Sequence, residues 1–121
     1  MPSVADFFER HLSALQHKPL LAGYEHYDMT CEIHFLDRSE RWRIDITNGC
    51  ISEIRILDSD APSPQVRFDL TEPVFWDIVE GAISPQKAFF TRKTNIKGDL
   101  FQGMKLAKLL SLFFEQYPYR A

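Results

Sequence analysis

Four histidines and two cysteines are the side chains of this 121-residue sequence best suited to hold a metal ion or form a covalent intermediate. A zinc site needs ligands that converge on one point. His11 and His17 are six positions apart, whereas a helix stacks side chains that are three or four apart. His26 and His34, placed on one strand, would stand about 26 Å apart at roughly 3.3 Å per residue. Cys31 and Cys50 make neither a paired metal motif nor a disulfide framework. Cys31 alternates with Met29 and Ile33 and so belongs on an apolar face, where a thiol stays protonated and inert. Glu32, Asp45 and Glu53 form a carboxylate row, but Arg43 and Arg55 adjoin it, and cross-strand charge pairing accounts for it. Neither a Gly-rich phosphate loop nor a Gly-x-Ser-x-Gly elbow is present. Asp99 reads as a helix N-cap with Gln102 at the third position. The expectation is therefore no metal, no cofactor and no catalytic residue, in a protein that is not an enzyme.

The apolar and charged residues carry more information. Sixteen aromatic residues, ten of them Phe, predict a bulky core. The formal net charge of -3 argues against nucleic acid, whose binding domains are usually basic. The charge is also unevenly spread. Residues 1–80 hold 7 Lys/Arg against 15 Asp/Glu, whereas residues 81–110 hold 6 against 1. Lys87, Arg92, Lys93, Lys105 and Lys108 in that second stretch, interleaved with Phe89, Phe90, Phe101 and Met104, suit transient contact with an anionic membrane surface. No apolar run approaches the roughly 18 residues of a membrane span, and the first residues lack a basic segment followed by an apolar one. The expected location is the cytoplasm, and the expected organisation is one domain over residues 1–121.

Periodicity assigns the elements that would position these groups. Ser3 caps a helix over residues 4–16, in which Val4, Phe8, Leu12 and Leu15 share a face. From Asp28 the period changes to two, and three strands follow: Met29, Cys31, Ile33 and Phe35 face one way, as do Trp42, Ile44 and Ile46, then Ile54 and Ile56. A loop from Asp37 to Glu40 sets Phe35 opposite Trp42 and Ile33 opposite Ile44. A three-residue loop of Asn48, Gly49 and Cys50 sets Ile44 against Ile54. That register leaves a wet outer face, with Glu32, Asp45 and Glu53 beside His34, Arg43 and Arg55. Residues 58–64 form a loop, and Val66, Phe68 and Leu70 mark a fourth strand. Thr71 and Pro73 start a helix through about Ala82, with Phe75, Ile78, Val79 and Ala82 on one side. Ser84 and Pro85 start a short one through Phe90, Thr94 to Lys97 is a brief last strand, and the terminal helix runs from Leu100 to about Tyr117.

A sheet with one apolar face needs a single helical layer, which predicts a two-layer α+β fold. On the terminal helix, Gly103, Leu106, Ala107, Leu109, Leu110, Phe113, Phe114 and Tyr117 fill an arc of roughly 160° at about 100° per residue. Leu112 falls in the opposite arc and Met104 at its edge, which covering the sheet does not require.

Pro85-Gln-Lys-Ala-Phe-Phe90, followed by Thr94-Asn-Ile-Lys-Gly-Asp99 and an apolar helix, resembles the sterol carrier protein family of lipid-transfer domains. Trp42-Arg-Ile-Asp-Ile-Thr-Asn-Gly49 is similar to that family's central hairpin, and Val66 to Gly81 to its strand and following helix, so the resemblance covers about residues 25–117. Where many members carry Gly after the Ala-Phe segment, this chain has Thr91-Arg92-Lys93. The resemblance implies about five mainly antiparallel strands under helices, with an apolar tunnel between the layers for a fatty acyl chain, a sterol-like molecule or another lipid. It implies no catalysis. The ligand-binding expectation comprises Phe75, Ile78, Val79, Ala82, Phe89, Phe90, Met104, Leu106, Leu110, Phe113 and Phe114. The alternative is an accessory module that binds a partner protein in membrane-linked biosynthesis such as quinone assembly, and the oligomeric state is open.

Overall fold

A computed structural model describes residues 2–58 and 61–120. Five strands form one sheet in the order β3-β2-β1-β4-β5: β1 (Met29–Phe35), β2 (Glu40–Thr47), β3 (Cys50–Ile56), β4 (Val66–Leu70) and β5 (Thr94–Gly98). All neighbours are antiparallel except β1 and β4, which are parallel. The helices lie on one face: an N-terminal segment that begins as α1 (Val4–Asp6), then α2 (Glu72–Val79), α3 (Pro85–Phe90) and α4 (Leu100–Gln116). This is the expected α+β architecture.

The N-terminal segment is helical throughout the expected range but not uniformly α. After α1 it widens into π-helix over Phe7–Leu12 and closes in a 3-10 turn at Ser13–Leu15. The Ser13 hydroxyl donates to the Phe8 carbonyl five residues back, at 3.0 Å, within this widened turn. The wider turn points both Phe7 and Phe8 into the core, where each is fully buried. Phe8 stacks on Trp42 at 4.7 Å between ring centroids, and Phe7 makes edge contacts with Phe75, Trp76 and Phe114 at 5.2–5.8 Å. Aromatic rings thus fill the space above β1, β2 and β3.

Two details of the sheet correct the sequence reading. In the β1–β2 pair, Ile33 faces Trp42 and Phe35 faces Glu40, a shift of two residues from the expected pairing, because the loop starts at Leu36 rather than Asp37. A two-residue shift preserves both faces, so apolar alternation cannot detect it. Charge does distinguish the registers: Glu32 now faces Arg43 rather than Asp45. In the β2–β3 pair Ile44 does face Ile54, but through a two-residue turn and a bulge rather than a three-residue loop. Asn48 and Gly49 both have positive φ (51° and 77°), the tight hairpin turn that Asn-Gly favours, and a register shift at Asp45/Ile46 absorbs the extra residue.

The outer face is not uniformly wet. Since β3 runs parallel to β4 with two strands between them, the connection must cross the sheet, and it crosses on the face without helices. Arg43 donates to the Pro62 carbonyl at 2.9 Å and Arg41 to the Asp58 carbonyl at 2.8 Å. Beneath this connection Glu32 is fully buried, with Arg41 at 3.4 Å and Arg43 at 3.8 Å. Arg43 and Asp69 are buried as well. Ser59 and Asp60, inside the expected loop, lie outside the described residues.

The helix expected to reach Ala82 stops at Val79. Gly81 takes φ 79°, with its N–H on the Ile78 carbonyl and the Ala82 N–H on the Asp77 carbonyl, which is a Schellman termination. Ala82 is consequently exposed.

Candidate functional site

An apolar concavity lies between the layers on the side that the N-terminal aromatic cluster does not fill. Its floor is Ile33 from β1, Phe68 and Leu70 from β4, and Thr94 and Ile96 from β5. Its roof is Phe75, Ile78 and Val79 from α2, Pro85 at the start of α3, and Ala107, Leu110, Ser111 and Phe114 from α4. Eleven of these thirteen residues are apolar, and only Thr94 and Ser111 carry hydroxyls.

The space follows from a row of small side chains. Gly103, Ala107 and Ser111 recur every fourth residue and therefore line one side of α4. At Gly103 the helix comes so close to the sheet that a Cβ would stand 2.5 Å from Ile96 Cγ2 and 3.3 Å from Val66 Cγ1. One and two turns further on, Ala107 and Ser111 are too short to reach the sheet, and the gap remains open. Its volume is about 60 Å³, several times the roughly 10–15 Å³ that one water needs. That suits a short hydrocarbon segment. A longer chain must extend out of it.

Phe75 and Phe114 touch Phe7 on one side and line the pocket on the other, so they are the wall between filled and open space. Of the residues expected to meet a ligand, Phe75, Ile78, Val79, Leu110 and Phe114 line this pocket. Leu106 and Phe113 are fully buried elsewhere in the core, and Met104 is half-buried. Phe89 and Phe90 instead line a second, more open depression of about 490 Å³ with Arg92, Thr94 and Asn95. Thr94 belongs to both. Strand alternation places Ile33, Phe68 and Leu70 among the apolar positions of their strands; Ile96 was missed, because β5 was read only as a brief strand with no face assigned. Ala107 belongs to the expected apolar arc of α4, whereas Ser111 was missed; its four-residue spacing from Ala107 is the signal that could have found it.

Phe90 and Phe101 are each 76% exposed. Lys87, Arg92, Lys93 and Lys108 are exposed too. Lys105 is half-buried, with its ammonium over the rings of Tyr24 and Tyr27 at 5.2 and 5.6 Å to the centroids. It therefore braces the segment before β1.

The groups with ordinary reaction chemistry do not converge on the pocket. Cys31 is fully buried under the sheet's apolar face, and burial pushes its thiol up to about 12. His11 bonds the Tyr117 carbonyl at 3.0 Å, and burial lowers its pKa. Among the described residues no group of three or more His, Cys, Asp and Glu is placed to hold a metal ion, and no helix is long and apolar enough to cross a membrane.

The sequence matches the SCP-2 sterol transfer family over residues 8–111. Among solved structures, a sterol carrier protein 2 superposes with a TM-score of 0.73 at 8% identity, covering 95% of each chain. A ubiquinone synthesis protein, UbiJ-SCP2, gives 0.63 at 9% identity over 93% of each chain. The inverting sec-alkylsulfatase Pisa1 from Pseudomonas sp. gives 0.67 at 22% identity. That match covers 99% of this chain but only 17% of the sulfatase, so the likeness is to one part of a much longer enzyme.

Proposed function

Because the chain belongs to the SCP-2 sterol transfer family, we propose that it binds a lipid or other hydrophobic small molecule between α2, α4 and the sheet, and transfers or presents it without catalysis. The observation that carries this reading is the pocket itself. Apolar side chains that face a void have no packing partners there, and a hydrocarbon entering it gains about 0.8 kcal/mol for each buried methylene. Few polar groups line it, so it discriminates by size more than by functional group.

The exposed Phe90 and Phe101 beside Lys87, Arg92, Lys93 and Lys108 support loading at an anionic membrane surface, with the protein otherwise in the cytoplasm. Lys105 contributes less, because Tyr24 and Tyr27 already engage it. Transfer from anionic vesicles should therefore slow as salt is raised.

Filling the pocket tests the proposal. Ser111→Leu places a longer apolar side chain in the gap on a helix position that tolerates Leu. The variant should remain folded and lose most uptake of a fluorescent fatty acid. Unchanged uptake would remove the pocket from the account.

A second reading is favoured by the likeness to a ubiquinone synthesis protein and by the partly exposed Leu112 on α4. Here the domain serves as an accessory module docking a partner protein in membrane-linked biosynthesis. Native mass spectrometry of protein purified from cells separates the two: co-purifying lipid supports the carrier, and an empty chain in a stable complex supports the module.

A further inference from the structure

The strand order leaves β3 and β5 at the two edges of the sheet. The first half of the β3 edge is closed by the segment before β1: Pro19 bridges Cys50, and the Gln16 side-chain amide donates to the Ser52 carbonyl at 2.8 Å. The second half is open. Just past β3 the Leu57 N–H donates to the Arg41 carbonyl at 2.9 Å. Backbone groups alternate in direction along an antiparallel strand, so Glu53 and Arg55 bond toward β2, whereas the N–H and C=O of Ile54 and Ile56 point to the open edge. The Ser52 carbonyl, already held by Gln16, follows the same alternation. Ile56 is 53% exposed, Glu53 and Arg55 are exposed, and Ile54 is half-buried.

The charges on this edge are mismatched to the strand that β3 already pairs with. Across the β2–β3 ladder Glu53 stands opposite Asp45 and Arg55 opposite Arg43. Like charges directly opposite one another are destabilising. Each strand compensates along its own length, Arg43 with Asp45 at 3.2 Å and Arg55 with Glu53 at 3.7 Å, the latter pair half exposed. A second β3, laid antiparallel against the open edge with Ile54 opposite Ile54, reverses the mismatch. Glu53 then faces Arg55 and Arg55 faces Glu53, one such pair on each side of the two-fold axis. A slip of one residue would set isoleucines against charges. A slip of two would set Arg55 against Arg55 or Glu53 against Glu53.

We propose that the open half of β3 is a self-recognition edge, on which a second copy of this chain adds its own β3 antiparallel about Ile54 and joins the two five-stranded sheets into one. A two-fold interface uses the same patch on both partners and must therefore be self-complementary, which the sequence Glu53-Ile54-Arg55 is. The other edge does not qualify: β5 (Thr94–Gly98) contains Lys97 and no acidic residue, so two copies of it offer no opposite charges. The free backbone groups of Ile54 and Ile56 supply the hydrogen bonds, and the charge order selects partner and register. The seam is short, so the dimer is reversible and concentration-dependent. It also leaves the apolar pocket free, because the strands that floor the pocket are β1, β4 and β5. The proposal stands independently of what that pocket binds.

Sedimentation velocity over a concentration series of the full chain tests this, with Glu53→Arg and Arg55→Glu as the variants. Wild type should pass from monomer to dimer as concentration rises, and amide exchange at Ile54 and Ile56 should slow over the same range. Each substitution sets like charges across the seam at both symmetric contacts and should weaken dimerisation by about tenfold. Within its own sheet each substitution replaces a like-charge pair, with Asp45 or with Arg43, by an opposite-charge one. Neither variant should therefore melt below wild type when all are dilute, which separates lost pairing from lost folding. An equimolar mixture of the two variants restores opposite charges on both sides of the axis and should recover the dimer. A wild type that stays monomeric throughout would overturn the proposal. So would variants that dimerise as strongly as wild type, which would move the interface elsewhere, or a mixture that fails to recover.

Discussion

The phenol of Tyr119 donates a 2.7 Å hydrogen bond to the carboxylate of Asp6, which also takes a two-pronged ion pair from Arg10 at 2.8 Å. The Tyr119 ring stacks on Trp76 and meets the edge of Phe7, so the segment after α4 is latched to the helix that precedes the sheet. The Arg10 hydrogen bonds, then that of Tyr119, hold the Asp6 carboxyl at about 2, below its ordinary 3.8. A carboxyl lowered in the folded state stabilises the fold above its unfolded value, and that contribution disappears as pH falls through the folded one. Asp6→Asn should therefore melt below wild type at pH 5–7, and the two melting curves should converge between pH 4 and 2. Parallel curves across that window would mean that the latch does not involve the charge.

On the opposite face, Glu32 is fully buried beneath the connection from β3 to β4, with Arg41 and Arg43 around it. Removing one member of a buried ionic group leaves the others uncompensated, at a cost of about 3–5 kcal/mol. Glu32→Ala should approach that magnitude in urea denaturation, and Glu32→Gln should cost less because it keeps shape and some hydrogen bonding. A loss under about 1 kcal/mol for Glu32→Ala would show that water reaches the arginines.

That buried carboxylate marks where the sequence stops being legible. The strands, helices and apolar faces follow from periods of two and 3.6, and each was readable because burial imposes the pattern directly. The β1–β2 register was not readable from that pattern, since Phe35 opposite Trp42 and Phe35 opposite Glu40 both keep the apolar residues inside. Nor was the burial of Glu32, which depends on Asp58 and Pro62 lying over Arg41 and Arg43 on the outer face, a topological fact with no local signature. In the candidate site, Phe75, Ile78, Val79, Leu110 and Phe114 were accessible from helix spacing and family resemblance. Thr94 was not, because a hydroxyl within a strand attracts notice only when its partners can be counted in three dimensions. The Arg92 backbone was hidden for a related reason: only geometry reveals that the chain there takes the conformation glycine prefers, with φ 62°.

The two thiols offer a kinetic check on the sheet. Cys31 is fully buried between Ile44 on β2 and Val66 on β4 in the strand register, and its raised pKa leaves almost no thiolate at neutral pH. Cys50, at the start of β3, is half-buried. A thiol-exchange reagent at pH 8 should modify Cys50 in the native protein and reach Cys31 only after denaturation. Two equivalents reacting at one rate under native conditions would mean that β1 opens far more readily than a central strand should.

Gly103 tests why the pocket exists at all. In an exposed helix Gly→Ala is stabilising by about 1 kcal/mol, because alanine restricts the unfolded chain and favours the helix. Here the new methyl would stand 2.5 Å from Ile96 Cγ2, on a β-branched side chain with little rotameric freedom, and 3.3 Å from Val66 Cγ1. Either α4 lifts from β4 and β5 or Ile96 is displaced, and overpacking of this kind costs about 1–3 kcal/mol. Gly103→Ala should therefore lower the melting temperature. Because Ile96 and Ala107 both line the pocket, the same displacement should change its affinity for diphenylhexatriene, whereas Lys108→Ala on the exposed side of α4 should leave it unaltered. A Gly103→Ala protein that melts higher than wild type would show that helix and sheet are not in the close contact from which the gap beside Ala107 and Ser111 arises.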